Sequence, residues 1–399
     1  MLIDSLDGTK NIIMIKNKKL GVSIIGGAGH IGLPLGLLLK NKGVDITLID
    51  INKNNIDKIK NKKMPFYEKG AQPLLSKGIK ITNNLKIIEK SNIIIVCIGT
   101  PVDEYFNPKL DTFFQVIREL KKYTSAKQTI IIRSSVYPQT CKKIVNILHK
   151  NIAYCPERIV QGKAIEEMHN LTQIVSGFSK KAISDSKKIF SLISKEIIVS
   201  EVLEAELIKL FSNSWRYVNF AISNQFYMIC AQFGIDYNLL RKKMIHGYDR
   251  NKSIPSAGFT AGPCLLKDTM QLTAFTQNQF SLGHNAMLIN EGIPNFIVNI
   301  LKKEKNISKK TIGILGLTFK PDIDDIRDSL SFKLIKLFNF NGFKYLVSDE
   351  FYNHNENISK ENLIKNSNII ILAVPHSNYK KCKIPKSKKI IDIWGFFEK

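Results

Sequence analysis

The fold of this 399-residue chain is indicated most clearly by residues 20–32, Leu20-Gly21-Val22-Ser23-Ile24-Ile25-Gly26-Gly27-Ala28-Gly29-His30-Ile31-Gly32. An apolar run leads into a GxGxxG pattern that begins at Gly27, a helical pattern follows, and Asp50 ends the next apolar run. Strand, glycine turn, helix and terminal acid in this order are typical of a dinucleotide-binding βαβ unit. The stretch therefore predicts a Rossmann-type domain.

The chemistry of this motif points to NAD as the cofactor. The glycines allow a tight turn, close approach of the backbone to the pyrophosphate and close helix packing, and the helix N-terminus offers amides to the phosphate. Asp50 can accept hydrogen bonds from the ribose hydroxyls and repel a 2′-phosphate, so NAD is favoured over NADP. Two further turns at the carboxyl ends of strands join the site. The predicted cofactor residues are Gly27, Gly29, His30, Ile31, Gly32, Asp50, Gly99, Thr100, Pro101 and Ser135.

The order of patterns along the chain predicts an α/β fold. Apolar runs alternate with helical patterns in the N-terminal half, which indicates a parallel sheet. A long, mostly apolar stretch without proline or glycine at 201–233 predicts one helix between domains. A second set of strands follows the lysine-rich residues 302–310. We expect an N-terminal extension (1–19), a Rossmann-type dinucleotide-binding domain (20–200), a central long-helix domain (201–303) and a smaller C-terminal Rossmann-like α/β domain (304–399).

Composition narrows the class of partner and compartment. The formal net charge is +25, but the lysines are spread along the whole chain without a basic recognition motif, so nucleic acid is not expected as a partner. The apolar run in the first nineteen residues is too short for a signal peptide or a membrane span, so no membrane contact is expected. The six cysteines lie far apart without a CxxC pair. They predict neither disulfides nor a metal site and favour a reducing cytoplasm.

One loop carries the residue that sets the predicted reaction apart: Gly258-Phe259-Thr260-Ala261-Gly262-Pro263-Cys264-Leu265-Leu266-Lys267-Asp268. A thiolate can add to an aldehyde, hold it as a thiohemiacetal for a second hydride transfer, and leave a thioester for water to cleave. A cysteine packed behind a turn is the alternative. Together with the dinucleotide motif, Cys264 predicts a dehydrogenase that oxidises its substrate twice.

Three more side chains are candidates for the reaction site. Lys209 and Asn213 are four residues apart in the predicted long helix, so they share one face and suit the stabilisation of an alkoxide or oxyanion. A snorkelling lysine on a half-exposed helix is the alternative. Glu157 follows a short run that ends at Tyr154, and its carboxylate could act as a general base or form a surface salt bridge.

These motifs together resemble the UDP-glucose/GDP-mannose dehydrogenase family, the nucleotide-sugar 6-dehydrogenases. The resemblance covers residues 20–394 and includes Ile98-Gly99-Thr100-Pro101, Ser134-Ser135-Val136-Tyr137-Pro138, Cys155-Pro156-Glu157-Arg158, and Gly316-Leu317-Thr318-Phe319-Lys320 with Asp325 and Arg327. It implies that Cys264 is the nucleophile, that Lys209 and Asn213 hold the oxyanion and a water, and that Glu157 and Asp268 assist hydrolysis.

The resemblance also implies contacts with substrate, cofactor and a second subunit. Arg327 is expected on the NAD side, and Arg250 is expected to reach the sugar of a neighbouring subunit. Apolar residues on more than one face of the helix at 201–233 predict a homodimer or larger homo-oligomer. The predicted substrate-binding residues are Glu157, Arg158, Lys209, Asn213, Arg250, Gly258, Phe259 and Lys320.

The run Cys-Pro-Glu-Arg resembles members of the family that act on UDP-N-acetylhexosamines such as UDP-N-acetylmannosamine. The expected reaction is an NAD-dependent four-electron oxidation of C6 to a uronate, for surface polysaccharide precursors. Departures from the family pattern are Ser135 for threonine, Gln139 for glycine, and a less glycine-rich approach to the cysteine at Thr260-Ala261-Gly262-Pro263. A UDP-glucose 6-dehydrogenase, a two-electron hydroxyacid dehydrogenase, which has no need of Cys264, and an inactive nucleotide-binding scaffold remain alternatives.

Overall fold

The computed structural model describes residues 14–15, 18–103 and 108–397, which form two compact units. The N-terminal unit holds the described residues up to Lys209, and the C-terminal unit holds those from Leu210 onwards. Most of the predicted N-terminal extension lies outside the described residues. Within it, β1 (Met14–Ile15) pairs antiparallel with β2 (Lys18–Lys19). The domain boundaries expected after residues 200 and 303 stay predictions.

The N-terminal unit is built around an eight-stranded sheet. Its elements in chain order are β3 (Gly21–Ile25), α1 (Gly32–Asn41), β4 (Asp45–Ile49), α2 (Lys53–Lys60), α3 (Ala71–Ser76), β5 (Lys80–Thr82), β6 (Ile93–Val96), α4 (Asp111–Leu120), β7 (Thr129–Ile132), α5 (Thr140–Ile147), β8 (Ile152–Tyr154), α6 (Ala164–Asn170), β9 (Gln173–Gly177), α7 (Lys180–Phe190), β10 (Ile197–Val199) and the start of α8 (Val202–Gln232). The strand order is β10-β9-β8-β7-β6-β3-β4-β5. All neighbours are parallel except β8 and β9.

Both faces of this sheet are covered by helices, and strand β6 shows why its sequence is continuously apolar. Ile93 and Ile95 pack into one hydrophobic cluster, whereas Ile94 and Val96 pack into a second cluster on the opposite face. Because successive side chains of a strand point to opposite faces, a strand with two covered faces needs an apolar residue at every position. The run that predicted a buried parallel strand is therefore explained.

Helix α8 agrees closely with the helix predicted at 201–233, and the boundary between the two units falls within it. Near its start, the carboxylate of Glu206 accepts hydrogen bonds from the backbone N–H groups of Gln139 (2.6 Å) and Cys141 (2.9 Å). These groups lie at the N-terminus of α5, where orphan amides need acceptors. Gln139, which departs from the family's glycine, has a φ of 68°. Glu206 therefore holds a left-handed turn that ordinarily favours glycine.

The C-terminal unit combines helices with a smaller sheet. After α8 it contains α9 (Tyr237–Ile245), α10 (Leu265–Phe275), α11 (Ser281–Lys302), β11 (Thr311–Leu315), α12 (Leu330–Asn341), β12 (Lys344–Ser348), α13 (Lys360–Asn366), β13 (Ile369–Leu372) and β14 (Lys389–Asp392). The sheet order is β12-β11-β13-β14, with all neighbours parallel. Strand β13 repeats the alternation of β6, with Ile369 and Ile371 in one cluster and Ile370 and Leu372 in another.

The predicted fold class is confirmed. The chain has a Rossmann-type N-terminal sheet, a helical centre and a smaller C-terminal parallel sheet. Among the described residues, no helix is both long enough and apolar enough to cross a membrane.

Candidate active site

The glycine-rich loop joins β3 to α1 at the carboxyl edge of the N-terminal sheet. The backbone N–H groups of Gly26 and Gly27 donate to the carbonyl oxygen of Ile49, at 2.9 and 3.0 Å. The left-handed turn lies at Gly26 (φ 75°), one residue before the GxGxxG pattern. A Cβ on Gly32 would lie 2.3 Å from the carbonyl oxygen of Gly26. Only glycine fits there. Helix α1 begins at this same residue, and its N-terminus is the kind of place where a pyrophosphate binds.

Asp50 follows β4 and is held by backbone groups of the same loop. Its Oδ2 accepts from the N–H of Ala28 at 2.9 Å, and its Oδ1 accepts from the N–H of Asn52 at 3.0 Å. These bonds fix the carboxylate at the strand end while leaving it half-buried. A carboxylate in this place can accept from ribose hydroxyls, so the residues present fit a dinucleotide with a free 2′-hydroxyl.

The other predicted cofactor residues also lie at this edge of the sheet. Gly99 and Pro101 are exposed after β6, and the buried hydroxyl of Thr100 donates to the carbonyl oxygen of Ser135, which follows β7. The ring of His30 lies 3.9 Å from the ring of Phe66. The end of β6 and the end of β7 are therefore tied together beside the glycine loop.

Glu157 forms a buried ion pair rather than the surface salt bridge considered as an alternative. Its Oε2 accepts from Nε and Nη2 of Arg133, at 3.0 and 2.5 Å. Its Oε1 accepts from the N–H groups of Arg158 (2.8 Å) and Ile159 (3.1 Å). Arg133 is 2% exposed and Glu157 is 6% exposed. Both oxygens of this carboxylate are thus engaged inside the N-terminal unit.

Arg133 also donates to two acceptors other than Glu157. Nη1 donates to the carbonyl oxygen of Cys155 at 3.1 Å, and Nη2 donates to Oε1 of Gln173 at 2.9 Å. The guanidinium carbon lies 4.5 Å from the ring centre of Phe190. Sequence reasoning missed this residue, although a charged residue directly after the apolar strand β7 was a usable signal, because a buried charge requires a partner.

Lys209 and Asn213 lie one turn apart on α8, and both are largely buried, at 8% and 7% exposure. Lys209 is therefore less exposed than the snorkelling lysine on a half-exposed helix that was its alternative interpretation. Asn213 donates from Nδ2 to Oδ2 of Asp268 at 2.6 Å, in the C-terminal unit. Asp268 is fully buried, and its Oδ1 lies 2.6 Å from Nζ of Lys267. Asn213, Asp268 and Lys267 therefore form a polar cluster, and the structure adds Lys267 to the predicted residues.

Cys264 caps the N-terminus of α10, one turn before Asp268. It is the exposed member of the six cysteines, all of which are described. Burial raises the pKa of the Cys97 thiol to about 12 and that of Cys155 to about 11. A thiol with so high a pKa stays protonated and unreactive at neutral pH, whereas Cys264 is accessible to a substrate.

Arg327 provides a positive charge for the Cys264 loop. Its guanidinium forms a bidentate pair with Asp325, with an Nη2–Oδ2 distance of 2.5 Å. This hydrogen bond and, to a smaller extent, the charge of the nearby Cys264 raise the pKa of Arg327. Arg327 is therefore near enough to Cys264 for an electrostatic interaction within the C-terminal unit, and its predicted contact with the cofactor stays a prediction.

The loop before Cys264 is packed tightly against other segments of the C-terminal unit. A Cβ on Gly262 (φ 108°) would lie 2.4 Å from Cδ2 of Phe319. The N–H of Gly258 donates to Oδ1 of Asn224 at 2.8 Å. Phe259, predicted to contact substrate, is 3% exposed and packs in the hydrophobic core, so its ring lies in the interior of the unit.

Three further predicted substrate residues are found in separate places. Lys320 is half-buried after β11. Arg158 is half-buried and donates from Nη2 to the carbonyl oxygen of Thr172 at 2.5 Å. Arg250 is exposed in a 3₁₀ turn (Asp249–Asn251), with its guanidinium 5.3 Å from the ring centre of Tyr248.

Comparison with known families matches the chain to three domains of one family. Residues 20–197 match the NAD binding domain of the UDP-glucose/GDP-mannose dehydrogenase family, residues 203–292 its central domain, and residues 313–399 its UDP binding domain. Together the three domains span most of the chain.

Individual relatives agree with this match over nearly their full lengths. A UDP-N-acetyl-D-mannosamine dehydrogenase of Methanocaldococcus jannaschii is 29% identical over 390 residues, covering 92% of this chain and 89% of the relative. The structure of UDP-D-ManNAc dehydrogenase from Pyrococcus horikoshii superposes with a TM-score of 0.87 at 25% identity, covering 95% of this chain and 96% of that one. A UDP-glucose dehydrogenase from Pyrobaculum islandicum shares the fold, with a TM-score of 0.86 at 19% identity and 96% coverage of both chains.

Proposed function

We propose, since this chain belongs to the UDP-glucose/GDP-mannose dehydrogenase family, that its substrate is a UDP-N-acetylhexosamine and in particular UDP-N-acetylmannosamine. Membership makes the chain an NAD-dependent nucleotide-sugar dehydrogenase. The choice of sugar is supported by relatives such as the Methanocaldococcus jannaschii enzyme and by the run Cys-Pro-Glu-Arg at 155–158. The product is a uronate, and we propose that it serves as a surface polysaccharide precursor.

The observation that carries the reaction type is the exposed Cys264 at the N-terminus of α10, with the Asn213–Asp268 pair one turn away. NAD, when bound, supplies the hydride acceptor for both oxidations. In the first oxidation the C6 alcohol loses a proton and a hydride and becomes an aldehyde. The buried ammonium of Lys209 and the amide of Asn213 stabilise the alkoxide that precedes hydride loss.

Cys264 then adds to the aldehyde carbon. The new C–S bond gives a thiohemiacetal, and its oxyanion is stabilised by hydrogen-bond donors before the second hydride leaves C6. This oxidation produces a thioester on Cys264.

Water finally cleaves the thioester, returning the Cys264 thiol and releasing the carboxylate. We assign activation of this water to Asp268, because it lies on the first turn of α10 and its partner Asn213 can hold a water. Glu157 is the second candidate. The carboxylate oxygens of both residues have partners, so the choice rests on the position of Asp268 one turn after Cys264 in the same helix. The balanced reaction consumes two NAD and one water for each uronate.

A panel of sugar nucleotides tests this proposal directly. Purified enzyme is incubated with NAD and UDP-N-acetylmannosamine, UDP-N-acetylglucosamine, UDP-glucose or GDP-mannose, and both NADH and uronate are quantified. We expect the largest kcat/KM with UDP-N-acetylmannosamine and two NADH per uronate. The largest value with UDP-glucose would identify a UDP-glucose 6-dehydrogenase. One NADH per product would identify a two-electron dehydrogenase, and no turnover with any sugar would indicate a scaffold.

Cofactor preference is predicted from Asp50. A 2′-phosphate would bring like charge against this fixed carboxylate, so we expect kcat/KM with NAD to exceed that with NADP by about ten- to hundredfold, the equivalent of about 1 to 3 kcal/mol. Asp50→Asn removes the charge but keeps a side-chain acceptor for the loop, so the ratio should fall by about tenfold. Steady-state kinetics with both cofactors measure it.

Asp45→Asn is the matched control, since Asp45 is the first residue of the same strand and pairs with the surface residue Lys80. Its NAD to NADP ratio should equal that of the unsubstituted enzyme. An Asp50→Asn ratio that also stays unchanged would remove Asp50 from the ribose site.

We also propose that the enzyme is a homodimer or larger homo-oligomer working in a reducing cytoplasm, where a free catalytic thiol persists. Helix α8 exposes a row of large apolar side chains at spacings of three, four and seven residues, the pattern of one continuous face. We call this row the α8 stripe: Phe211, Trp215, Ile222, Phe226 and Ile229. Trp215 is 69% exposed, and a symmetric copy of the same helix face is the economical cover for it.

Charging the α8 stripe should separate the subunits. Each side chain of a symmetric interface counts twice, and burial of an aromatic or aliphatic side chain contributes about 1.5 to 3 kcal/mol, so Trp215→Glu with Phe226→Glu should raise the dissociation constant by at least about a hundredfold. Light scattering after gel filtration at micromolar concentration measures the mass. Phe340→Glu is the control, because Phe340 is 89% exposed on α12 and lies outside the stripe. A fully active monomer of the unsubstituted protein would contradict the proposal.

A further inference from the structure

A buried polar network lies at the carboxyl edge of the C-terminal sheet. Three loops meet there: Gly316 follows β11, Asp349 follows β12, and His376 lies four residues after the end of β13. His376 is fully buried and Asp349 is 5% exposed. Polar groups buried to this extent are kept when their hydrogen bonds do a structural or functional task.

The hydrogen bonds of His376 define its tautomer. Nδ1 accepts from the backbone N–H of Asp322 at 2.9 Å, so Nδ1 carries no proton. Nε2 therefore carries the proton and faces Oδ2 of Asp349 at 3.1 Å. The ring of Phe351 stacks on the imidazole at 4.8 Å, and the ring of Tyr379 meets it edge-on at 5.2 Å. The imidazole is thus held in one orientation.

Asp349 joins His376 to the start of the loop after β11. Its Oδ2 also accepts from the N–H groups of Leu317 (2.5 Å) and Thr318 (3.2 Å). Burial raises the pKa of Asp349, but the hydrogen bonds from His376 and the backbone outweigh that effect and hold the pKa below its usual value. Asp349 is therefore a carboxylate that accepts from both the imidazole and the loop.

The same network holds the other side of this loop, which we call the Lys320 loop (residues 316–325). Asp322 has a φ of 58°, a left-handed conformation that side chains adopt only when neighbours hold it. Its N–H donates to His376, and its Oδ1 accepts from the N–H of Ser377 at 2.8 Å. Thr318 donates from its hydroxyl to the carbonyl oxygen of Lys320 at 3.0 Å. Both flanks of Lys320 are therefore anchored to His376 and its immediate neighbours.

Phe319 connects the Lys320 loop to the cysteine loop. Its ring lies against Gly262, where a Cβ would come within 2.4 Å, and its N–H donates to the carbonyl oxygen of Asp325 at 3.0 Å. Asp325 in turn holds Arg327, whose guanidinium is near Cys264. A shift of the Lys320 loop would consequently displace residues around the nucleophile.

We propose that His376 is a positioning residue for substrate binding: its Nδ1, by accepting from the N–H of Asp322, holds Lys320 in the place from which it contacts the nucleotide sugar. The proposal rests on the proposed function, in which Lys320 touches the substrate. A purely structural role, in which His376 only stabilises the C-terminal sheet, is the competing explanation. The positioning role, unlike the structural one, makes substrate binding depend on the contact of one imidazole nitrogen, Nδ1.

Two substitutions separate the nitrogens. His376→Asn places an amide oxygen near the position of Nδ1, so it can still accept from Asp322. His376→Gln places its amide near the position of Nε2, so it keeps the contact with Asp349 but loses the one with Asp322. We expect His376→Gln to weaken binding of UDP-N-acetylmannosamine and raise its KM by about ten- to hundredfold, with a smaller change in kcat, and His376→Asn to stay within about threefold of the unsubstituted enzyme.

Binding is measured by calorimetry without NAD, and KM by NADH formation, with the melting temperature of each variant recorded. Equal effects of the two variants on Kd and KM, or an effect that follows only the melting temperature, would overturn the proposal. Tyr379→Phe is the matched control. It removes a buried hydrogen bond to the carbonyl oxygen of Ser348 beside the same imidazole, without touching the Lys320 loop, and should leave Kd unchanged.

Asp322→Gly tests the premise that the anchoring of residue 322 sets the position of Lys320, and this test remains if both His376 variants fail to fold. Glycine accepts the φ of 58° without strain and removes the side-chain bonds to Ser377, so the loop loosens at a partly exposed position. Loss of a negative charge two residues from Lys320 should by itself lower the Kd of an anionic ligand. A Kd raised about tenfold therefore supports positioning, and an unchanged or lowered Kd overturns it.

Lys320→Ala keeps this test distinct from that of the proposed function. If the unsubstituted enzyme neither binds nor oxidises any nucleotide sugar, the proposed function has failed and the role of His376 fails with it. If that enzyme is active but Lys320→Ala binds substrate normally, the inference about His376 fails while the proposed function stands.

Discussion

Cys264→Ala is expected to abolish steady-state uronate formation, lowering its rate by at least about 10³-fold. Without the sulfur, no thiohemiacetal or thioester can form, although Lys209 and Asn213 can still stabilise the first alkoxide. The variant should therefore retain the fold and NAD binding and oxidise the alcohol at most to the aldehyde. Cys264→Ser should also lose on the order of 10³ in turnover, because serine is a much poorer nucleophile at neutral pH.

Uronate is quantified by chromatography, and NAD binding and the melting temperature are measured beside it. Cys382→Ser is the control, because Cys382 is a half-buried thiol of the same unit that lies far along the chain from the cysteine loop. It should leave turnover within about twofold, as expected for a substitution outside the reacting groups. Uronate formation by Cys264→Ala near the unsubstituted rate would make Cys264 a packing residue.

Gly262→Ala is expected to lower kcat by about a hundredfold while most of the molecule stays folded. The new Cβ would lie 2.4 Å from the ring of Phe319, and a φ of 108° is strained for any residue other than glycine. Either the loop or the ring must move, and Cys264 is only two residues away. The strain itself should cost about 1 to 3 kcal/mol of stability.

Gly292→Ala supplies the same substitution in the same unit without the clash. Gly292 lies within α11, and a Cβ there meets nothing within 4 Å. Alanine in a helix is favoured over glycine by about 1 kcal/mol, so this variant should be fully active and slightly more stable. Equal kcat for the two alanine variants would show that the packing of Gly262 against Phe319 has no bearing on the cysteine.

The fold was predictable because its signals are local. Buried parallel strands such as β6 and β13 need an apolar residue at every position, and the glycine pattern after β3 has a direct steric reason at Gly32. Helix α8 lacks proline and glycine over its 31 residues and was placed within one residue at each end. Each of these features depends on neighbours in the chain, so spacing and residue type suffice.

The environment of the candidate site was not predictable to the same degree. Arg133 and Glu157 are 24 residues apart, and Asn213 and Asp268 are 55 apart, yet each pair is in hydrogen-bond contact. A sequence shows that a carboxylate is present, but its partners decide whether it is free to act as a base. For this reason the partners of Glu157 and Asp268 became known only from the structure.

The α/β class, the dinucleotide motif with Asp50, the long helix and the candidate nucleophile could all be identified from the amino-acid sequence, since each depends on residues that are close together in the chain. Three features emerged from the folded molecule alone: Cys264 is exposed while Cys141 and Cys155 are buried, Gly262 must be glycine because Phe319 lies against it, and His376 reaches Asp322 across 54 residues. Burial, close packing and long-range hydrogen bonds arise when segments that are distant in the chain meet. Local sequence patterns carry little information about which segments those are.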